Sequence, residues 1–319
     1  MSNTCRICGN AADTPIVVAR EMMFGLRETF EYFQCDRCNC LQIKKIPESM
    51  NTYYPNDYYS FGKFKGDRFK GFSGKLKKLQ YEGAVFGKGL FKNLFGRRFR
   101  RKLYYIFEGL NVRRNTRILD VGCGNGGNFL YPLAEIGFIN VVGCDPYLAQ
   151  PIAYDNGLRV ENVDIEAMGG TYDIITYHHA FEHLEKPFEN LQKVYELLVE
   201  GGVCIIRIPT VSSFAWEHYG TDWVQLDAPR HFYLHSKESM QILADKTGFE
   251  LFDIVYDSTY FQFSGSENYL KDIPLTNPKK KGFRNSINRK VNKSKYERMA
   301  RKLNRRKQGD QAAFYLRKK

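Results

Sequence analysis

The stretch "TRILDVGCGNGGNFL", Thr116–Leu130, decides the fold. Ile118, Leu119 and Val121 make an apolar run of strand type, a glycine-rich turn follows, and Asn128–Leu130 opens a helix. Strand, tight turn and helix in succession are the start of a βα unit. With no Cβ at Gly122 or Gly124, a ligand can approach the backbone closely. Gly122, Gly124 and Gly127 also satisfy the GxGxxG pattern of a dinucleotide site. Asp120 argues against that reading, because its carboxylate would meet a pyrophosphate with like charge. A ligand carrying cations suits it better.

Working outward, the next acids support an adenosine ligand. "NVVGCDPY" is a second strand ending at Asp145, 23 residues after Gly122, where a carboxylate accepts ribose hydroxyls. "LRVENVDIEAM" supplies a third strand, with Asp164 just beyond it for an adenine amino group. "YDIITYHH" and "GGVCIIRIP" read as the fourth and fifth strands, and "PFENLQKVYELLVEGG" as a helix between them. Strands alternating with helices make a parallel α/β sheet.

"ILDVGCGNG", Asp145, Asp164 and "FEHLEKP" together resemble a class I S-adenosylmethionine-dependent methyltransferase over roughly residues 112–264 plus the last strand. The resemblance implies a Rossmann-like, mostly parallel seven-stranded sheet in the order 3-2-1-4-5-7-6. It implies S-adenosylmethionine held by Asp120, Gly122, Cys123, Gly124, Asp145, Pro146, Asp164, Ile165 and Tyr177. "FELFDIVYDS" would be the sixth strand and the terminal "DQAAFYLRKK" the seventh. The basic stretch of about 265–310 is then an insertion before the last strand.

Five of the eight cysteines lie in the first forty residues, as "CRIC" and "CDRCNC". Two CxxC pairs suit a structural tetrahedral zinc site, and Cys5, Cys8, Cys35 and Cys38 are the expected ligands. Cys40 is the spare. Four thiolates leave no open position, so this Zn2+ would not be catalytic. A redox dithiol is the competing reading.

Three of the six histidines fall in "YHHAFEHLEKP", residues 177–187. In the resembled family the end of the fourth strand borders the methyl group and acceptor, which makes His178 and His179 candidate catalytic residues and Glu182 a substrate contact. The bland alternative is a polar helix start with Glu182 at its positive end. A second polar cluster, "WEHYGTDWVQLDAPRHFYLHS" (216–236), holds both tryptophans. Trp216, Tyr219, Trp223 and Asp227 suit a sugar ring, and the Arg230 fork suits a phosphate. His231 is the expected general base, since a neutral imidazole can accept a hydroxyl proton near pH 7. The competing reading packs this loop against the cysteine module.

A cysteine ribbon joined to such a domain, with Pro-Arg-His after the fifth strand, is similar to sugar and deoxysugar C- or O-methyltransferases. That implies a sugar nucleotide or glycan acceptor, in surface polysaccharide or related biosynthesis. The group has an acid before the histidine where this sequence has Arg230. The alternatives are an RNA methyltransferase and a non-catalytic zinc-ribbon scaffold. No "NPPY"-like motif of base amino methylation follows the fourth strand.

The formal net charge of +13 is uneven. Residues 61–105 carry 14 Lys/Arg against 2 Asp/Glu and residues 271–319 carry 18 against 3, so the remaining body is acidic. Such segments fit an anionic partner, either a membrane surface or, less favoured, nucleic acid. In residues 87–110 Phe91, Leu94, Phe95, Phe99, Leu103, Ile106 and Leu110 recur at helical spacing among arginines, which fits either a surface-lying membrane helix or, more commonly, a stripe packed on the protein core. No apolar run approaches the roughly 20 residues of a membrane span, and the first residues lack signal-peptide character. The expected place is cytoplasmic, peripheral on the inner membrane face. The domains read as 1–60, a zinc-ribbon-like module; 61–111, a basic helical linker; and 112–319, the methyltransferase domain.

Overall fold

The computed structural model describes residues 3–12, 14–54, 64–87, 103–276 and 283–319. Residues 55–63 and 88–102 therefore lie outside the described residues, with most of "TYYPNDYYSF" (52–61), a tyrosine-rich run that by its sequence could let the front module reach an acceptor, and of the stripe expected at 87–110.

Five short strands come first: β1 (Asn3–Thr4), β2 (Ala11–Ala12), β3 (Ile16–Arg20), β4 (Thr29–Gln34) and β5 (Leu41–Ile43). Helix α1 (Gly71–Phe86) follows. Then come β6 (Ile118–Val121), α2 (Leu130–Glu135), β7 (Val141–Cys144), β8 (Ile152–Ala153), β9 (Arg159–Glu161), β10 (Tyr172–His178), α3 (Pro187–Leu197) and β11 (Leu198–Pro209). The remainder holds α4 (Phe214–Tyr219), β12 (Tyr233–Leu234), α5 (Lys237–Thr247), β13 (Phe249–Tyr256), α6 (Phe261–Tyr269), α7 (Phe283–Arg305) and β14 (Gln311–Lys318).

The large sheet runs β13-β14-β11-β10-β6-β7-β9-β8. Pairs β10–β6, β6–β7 and β7–β9 are parallel. All four residues of β6 are buried, because a parallel strand is covered on both faces and reads as a continuous apolar run. The expected order 3-2-1-4-5-7-6 holds, with β6, β7, β9, β10, β11, β13 and β14 as strands 1 to 7. The expected count of seven does not. An eighth strand, β8, pairs antiparallel with β9. Its cause is local: "YDNG" closes a hairpin in which Tyr154 N–H donates to Leu158 O at 2.9 Å and Gly157 takes φ +88°. The basic insertion before the last strand carries α7, and residues 277–282 of it lie outside the described residues.

The chain divides into two compact units that do not follow the sequence blocks 1–60, 61–111 and 112–319. One comprises residues 1–55, 181–188 and 207–315, the other 56–180, 189–206 and 316–319. The first unit is explained by strand pairing. Its smaller sheet has the order β12-β5-β4-β3, so the stretch after the fifth strand of the large sheet adds an edge to the cysteine module. Tyr233 and Leu234 pair antiparallel with Gln42 and Leu41. Trp223, Tyr32, Tyr233, Leu41 and Ile43 are among the fully buried side chains of this unit.

Candidate functional site

In the second unit, three acids follow three neighbouring parallel strands. Asp120 is in β6, Asp145 directly follows β7, and Asp164 lies just beyond β9. The carboxyl ends of strands beside a switch in strand order are where α/β sheets hold ligands, and β6 sits between β10 and β7 at that switch. Gly122 has φ +66°, and a Cβ there would stand 2.5 Å from Ala180 Cβ, so only glycine fits the turn. The turn is tied to the next strand: Gly124 N–H donates to Asp145 Oδ2 at 2.8 Å, and Tyr147 N–H to Asp145 Oδ1 at 3.0 Å. These bonds fix the Asp145 carboxylate in place, and each oxygen can still accept from a ribose hydroxyl.

Asp120 is buried and accepts from Thr176 Oγ1 at 2.7 Å. Burial raises its carboxyl, the Thr176 bond offsets part of this, and Asp145 adds to the rise, leaving it at about 8. A buried acid in that state gains most from an incoming cation. The donor set therefore fits the ammonium of S-adenosylmethionine and not a pyrophosphate. Asp164 caps a single helical turn, accepting from Ala167 N–H at 3.2 Å, with Ile165 buried beside it. Cys123 packs under the turn, where a Cβ on Gly143 would come within 2.3 Å of its sulfur. Tyr177 is a fully buried side chain of β10 whose hydroxyl donates to Asn190 Oδ1. His178 lies edge-on to Phe129 at 4.5 Å between centroids. His179 holds φ +54°, a left-handed conformation uncommon outside glycine.

In the first unit, the four expected cysteines converge. Their sulfurs all lie within 4.8 Å of one another, with Cys5–Cys38 at 3.5 Å and Cys8–Cys35 at 3.6 Å. Thiolates around tetrahedral zinc, with Zn–S of about 2.3 Å, stand about 3.8 Å apart, so the group fits that ion. Both CxxC turns are built alike. Gly9 N–H donates to Cys5 O and Asn39 N–H to Cys35 O, and Gly9 and Asn39 each take positive φ. The Cys38 contact, with Gln42 Nε2 donating at 3.1 Å, draws Cys5 toward its thiolate. Cys40 is buried and stands outside the four.

The same unit holds the histidine cluster. His231 Nδ1 is 2.8 Å from Gln225 O. A carbonyl only accepts, so Nδ1 carries the proton and Nε2 keeps its lone pair. That Nε2 lies 3.8 Å from Glu182 Oε1 and 3.9 Å from Asp227 Oδ2. His183 stacks edge-on to His231 at 4.8 Å, and its Nδ1 donates to Arg230 O at 2.7 Å with the Tyr54 hydroxyl 3.1 Å away. Burial, then the neighbouring His183, push the His231 imidazole down to about 4 against the pull of Asp227 and Glu182. It is neutral at pH 7. Asp227 takes φ +46° and precedes the cis Ala228–Pro229 bond.

Several expected substrate contacts are internal instead. Arg230 is fully buried and gives its fork to Asp227, Nε to Oδ2 at 2.9 Å, while an Nη nitrogen reaches Glu21 at 3.0 Å. It is thus committed to two carboxyls and not held out to a phosphate. Burial raises Asp227, but Arg230 outweighs this and holds it below its ordinary value. Trp223 is fully buried with Nε1 on Asp310, so it cannot be a sugar platform. Tyr219 is buried and donates to Glu267. Trp216 is partly exposed, its Nε1 bonded to Gln34. Two residues of the cluster, Glu21 and Gln225, have no signal in the sequence, whereas Tyr54 belongs to the tyrosine-rich run 52–61. Glu21 has no local signal, since its partner lies 209 positions away.

The profile of a family described as "Methyltransferase domain" matches residues 90–254. The ubiquinone biosynthesis O-methyltransferase of Azorhizobium caulinodans is 30% identical over 135 residues, covering 39% of this chain and 53% of that protein. The tRNA U34 carboxymethyltransferase of Pseudomonas fluorescens is 29% identical over 107 residues, covering 30% of this chain and 33% of that protein. The matches thus span about half and a third of these relatives. An S-adenosylmethionine-dependent methyltransferase structure from Archaeoglobus fulgidus aligns with TM-score 0.42 at 19% identity, covering 75% of this chain and 99% of that one. Magnesium protoporphyrin IX methyltransferase from Synechocystis aligns with TM-score 0.40 at 13% identity, covering 84% and 94%.

Proposed function

Because the chain belongs to the methyltransferase-domain family, we propose that it is an S-adenosylmethionine-dependent methyltransferase whose acceptor is a sugar, sugar nucleotide or lipid-linked glycan. The observation that carries the base chemistry is the His231 imidazole, neutral and with its lone pair fixed on Nε2 by Gln225 O. When bound, S-adenosylmethionine supplies a methyl on a cationic sulfur. Asp120 would face its ammonium, Asp145 its ribose, and Asp164 the adenine side.

An acceptor hydroxyl, or a carbon beside a keto group, must lose a proton to attack. His231 Nε2 takes that proton. The imidazolium that results is favoured by the Glu182 and Asp227 carboxyls at 3.8 and 3.9 Å. Arg230 and Glu21 act behind this pair, holding Asp227 where it faces the imidazole. Cys5, Cys8, Cys35 and Cys38 would bind a structural Zn2+, which would tie together the two CxxC turns of the module whose sheet β12 completes two residues after His231.

The sugar acceptor is supported by the joining of a cysteine module to a Pro-Arg-His element. A second reading, methylation of RNA, is favoured by the basic segments and by the similarity to tRNA-modifying relatives. Incubation with methyl-labelled cofactor and separate pools of nucleotide sugars, polysaccharide, RNA and phenolic quinone precursors tests both. Label entering only RNA or only the phenols would overturn the sugar reading.

A further inference from the structure

Helix α1 leaves one side open over its first turns, although at its far end Phe86 stacks on Phe138 at 5.6 Å between ring centroids. Gly74 and Tyr81 are buried, Tyr81 packing on Phe69 and Tyr104 at 5.6 and 5.3 Å between ring centroids. A Cβ on Gly74 would fall 2.2 Å from the Phe69 backbone, so the turn that enters the helix needs a glycine there. At about 100° per residue, Phe72, Leu76 and Leu79 line up on the opposite side, at i, i+4 and i+7. They are 79%, 41% and 45% exposed. Three of the ten exposed large apolar side chains among the described residues thus form one stripe on one helix.

Of the charges beside this stripe, Lys75 has no ion-pair partner among the described residues and Glu82 is paired with Arg114. Lys70 is paired with Asp67 and Lys78 with Glu135, and Lys77 lies toward the docked side, about 40° round the helix from Tyr81. By sequence, residues 88–102 then add seven Lys/Arg and no acid, with Leu90, Phe91, Leu94, Phe95 and Phe99 among them. An apolar stripe with a lysine beside it, leading into a strongly basic segment, is the composition of a helix that lies in a membrane interface.

We infer that the Phe72–Leu76–Leu79 face of α1 docks on an anionic lipid bilayer, sinking its three apolar side chains below the headgroups while Lys75 meets lipid phosphate. A second copy of the chain fits less well. Three side chains fall far short of the roughly 800 Å² per partner of a stable interface, and a two-fold pairing would bring Lys75 toward its own copy. Nucleic acid would engage the lysines and leave the Phe/Leu stripe wet. The inference holds whatever the methyl acceptor is.

The test is sedimentation of the full chain with vesicles of mixed phosphatidylglycerol and phosphatidylcholine, or of phosphatidylcholine alone. Binding to the anionic vesicles should be at least about tenfold tighter and should weaken with salt. The combined Phe72→Ser, Leu76→Ser, Leu79→Ser variant, at exposed positions, should keep its thermal midpoint and lose about tenfold or more in vesicle affinity. A Phe72→Trp variant should show blue-shifted emission on the anionic vesicles only. If the triple variant sediments as the parent does, or the emission of the Phe72→Trp variant does not move, the face does not dock and the inference falls. It falls equally if light scattering shows a dimer that the triple variant abolishes, or if single-stranded RNA displaces the vesicles while the triple variant binds as the parent.

Discussion

Arg230 and Asp227 close on one another as a two-point ion pair three residues apart, and the Arg230 side chain is wholly buried. Glu21, the residue after β3, meets the same guanidinium at 3.0 Å. The group is an internal brace for the turn that carries His231. Truncating it leaves two buried carboxyls without their cation. Arg230→Met should cost about 3–5 kcal/mol, read from urea unfolding of parent and variant. Arg230→Lys should recover only part, because an ammonium lacks the fork. A loss below about 1 kcal/mol in the Met variant would show that the brace is dispensable.

Asp120 gives a prediction about protons. Held at about 8 by burial, it is mostly protonated at pH 7 in the free protein. An ammonium beside it would bring it back to the carboxylate, so cofactor binding near pH 7 should release close to one proton per chain. Titration calorimetry in two buffers of different ionisation enthalpy measures this directly. The Asp120→Asn variant should bind more weakly and release none. Equal release by both proteins would remove Asp120 from the cofactor site.

His231→Ala should lower the methylation rate by about 100- to 10,000-fold and leave cofactor affinity near that of the parent. The comparison is His179→Ala, at the strained end of β10 in the other unit. Should His179→Ala abolish turnover while His231→Ala retains most of it, the base lies at the strand end.

The same imidazole sets an acid limit on stability. Unfolded, it titrates near its ordinary 6.5; folded, near 4, because burial disfavours its charge. Between those values the unfolded chain binds more protons, so stability rises with pH there. Its contribution is fully present above about 6.5 and is lost as pH falls through 4, amounting to about 3 kcal/mol. His235, pushed down to about 3 by burial, adds an effect of the same sign. Unfolding midpoints from pH 7 to 4 should fall less steeply for His231→Gln than for the parent, and parallel curves would contradict the assignment.

For the cysteine group the expectation is one zinc per chain by elemental analysis. Cys35→Ser should lose the metal, and Cys40→Ser should keep it, since Cys40 stands outside the four converging sulfurs. Metal-free protein from chelator-free purification would reject the site.

The large sheet is legible in the sequence because its signals are local. A buried run such as Ile118–Val121, a turn closed to any Cβ at Gly122, and acids at strand ends can each be read without knowing what they pack against. Sequence reading fails where a partner is remote. Trp223 has the composition of a sugar platform, yet Asp310, 87 residues on, holds its indole N–H. Arg230 reads as an available fork, yet Glu21 stands beside it from 209 positions away. Strand β8 escapes because two residues give no periodicity, although "DNG" marks its turn.

The pairing of β5 with β12 limits how this chain can be dissected or shuffled. Residues 41–42 complete their sheet only with residues 233–234, so the cysteine segment is not a detachable cassette. An isolated 1–54 fragment would present an unpaired strand edge, the kind of surface on which chains aggregate. The remainder, deprived of that segment, would lose the strand against which the stretch after His231 is laid. Grafting the front of this protein onto another catalytic body would therefore require carrying the 227–235 loop along with it, and the two segments should be inherited together or not at all.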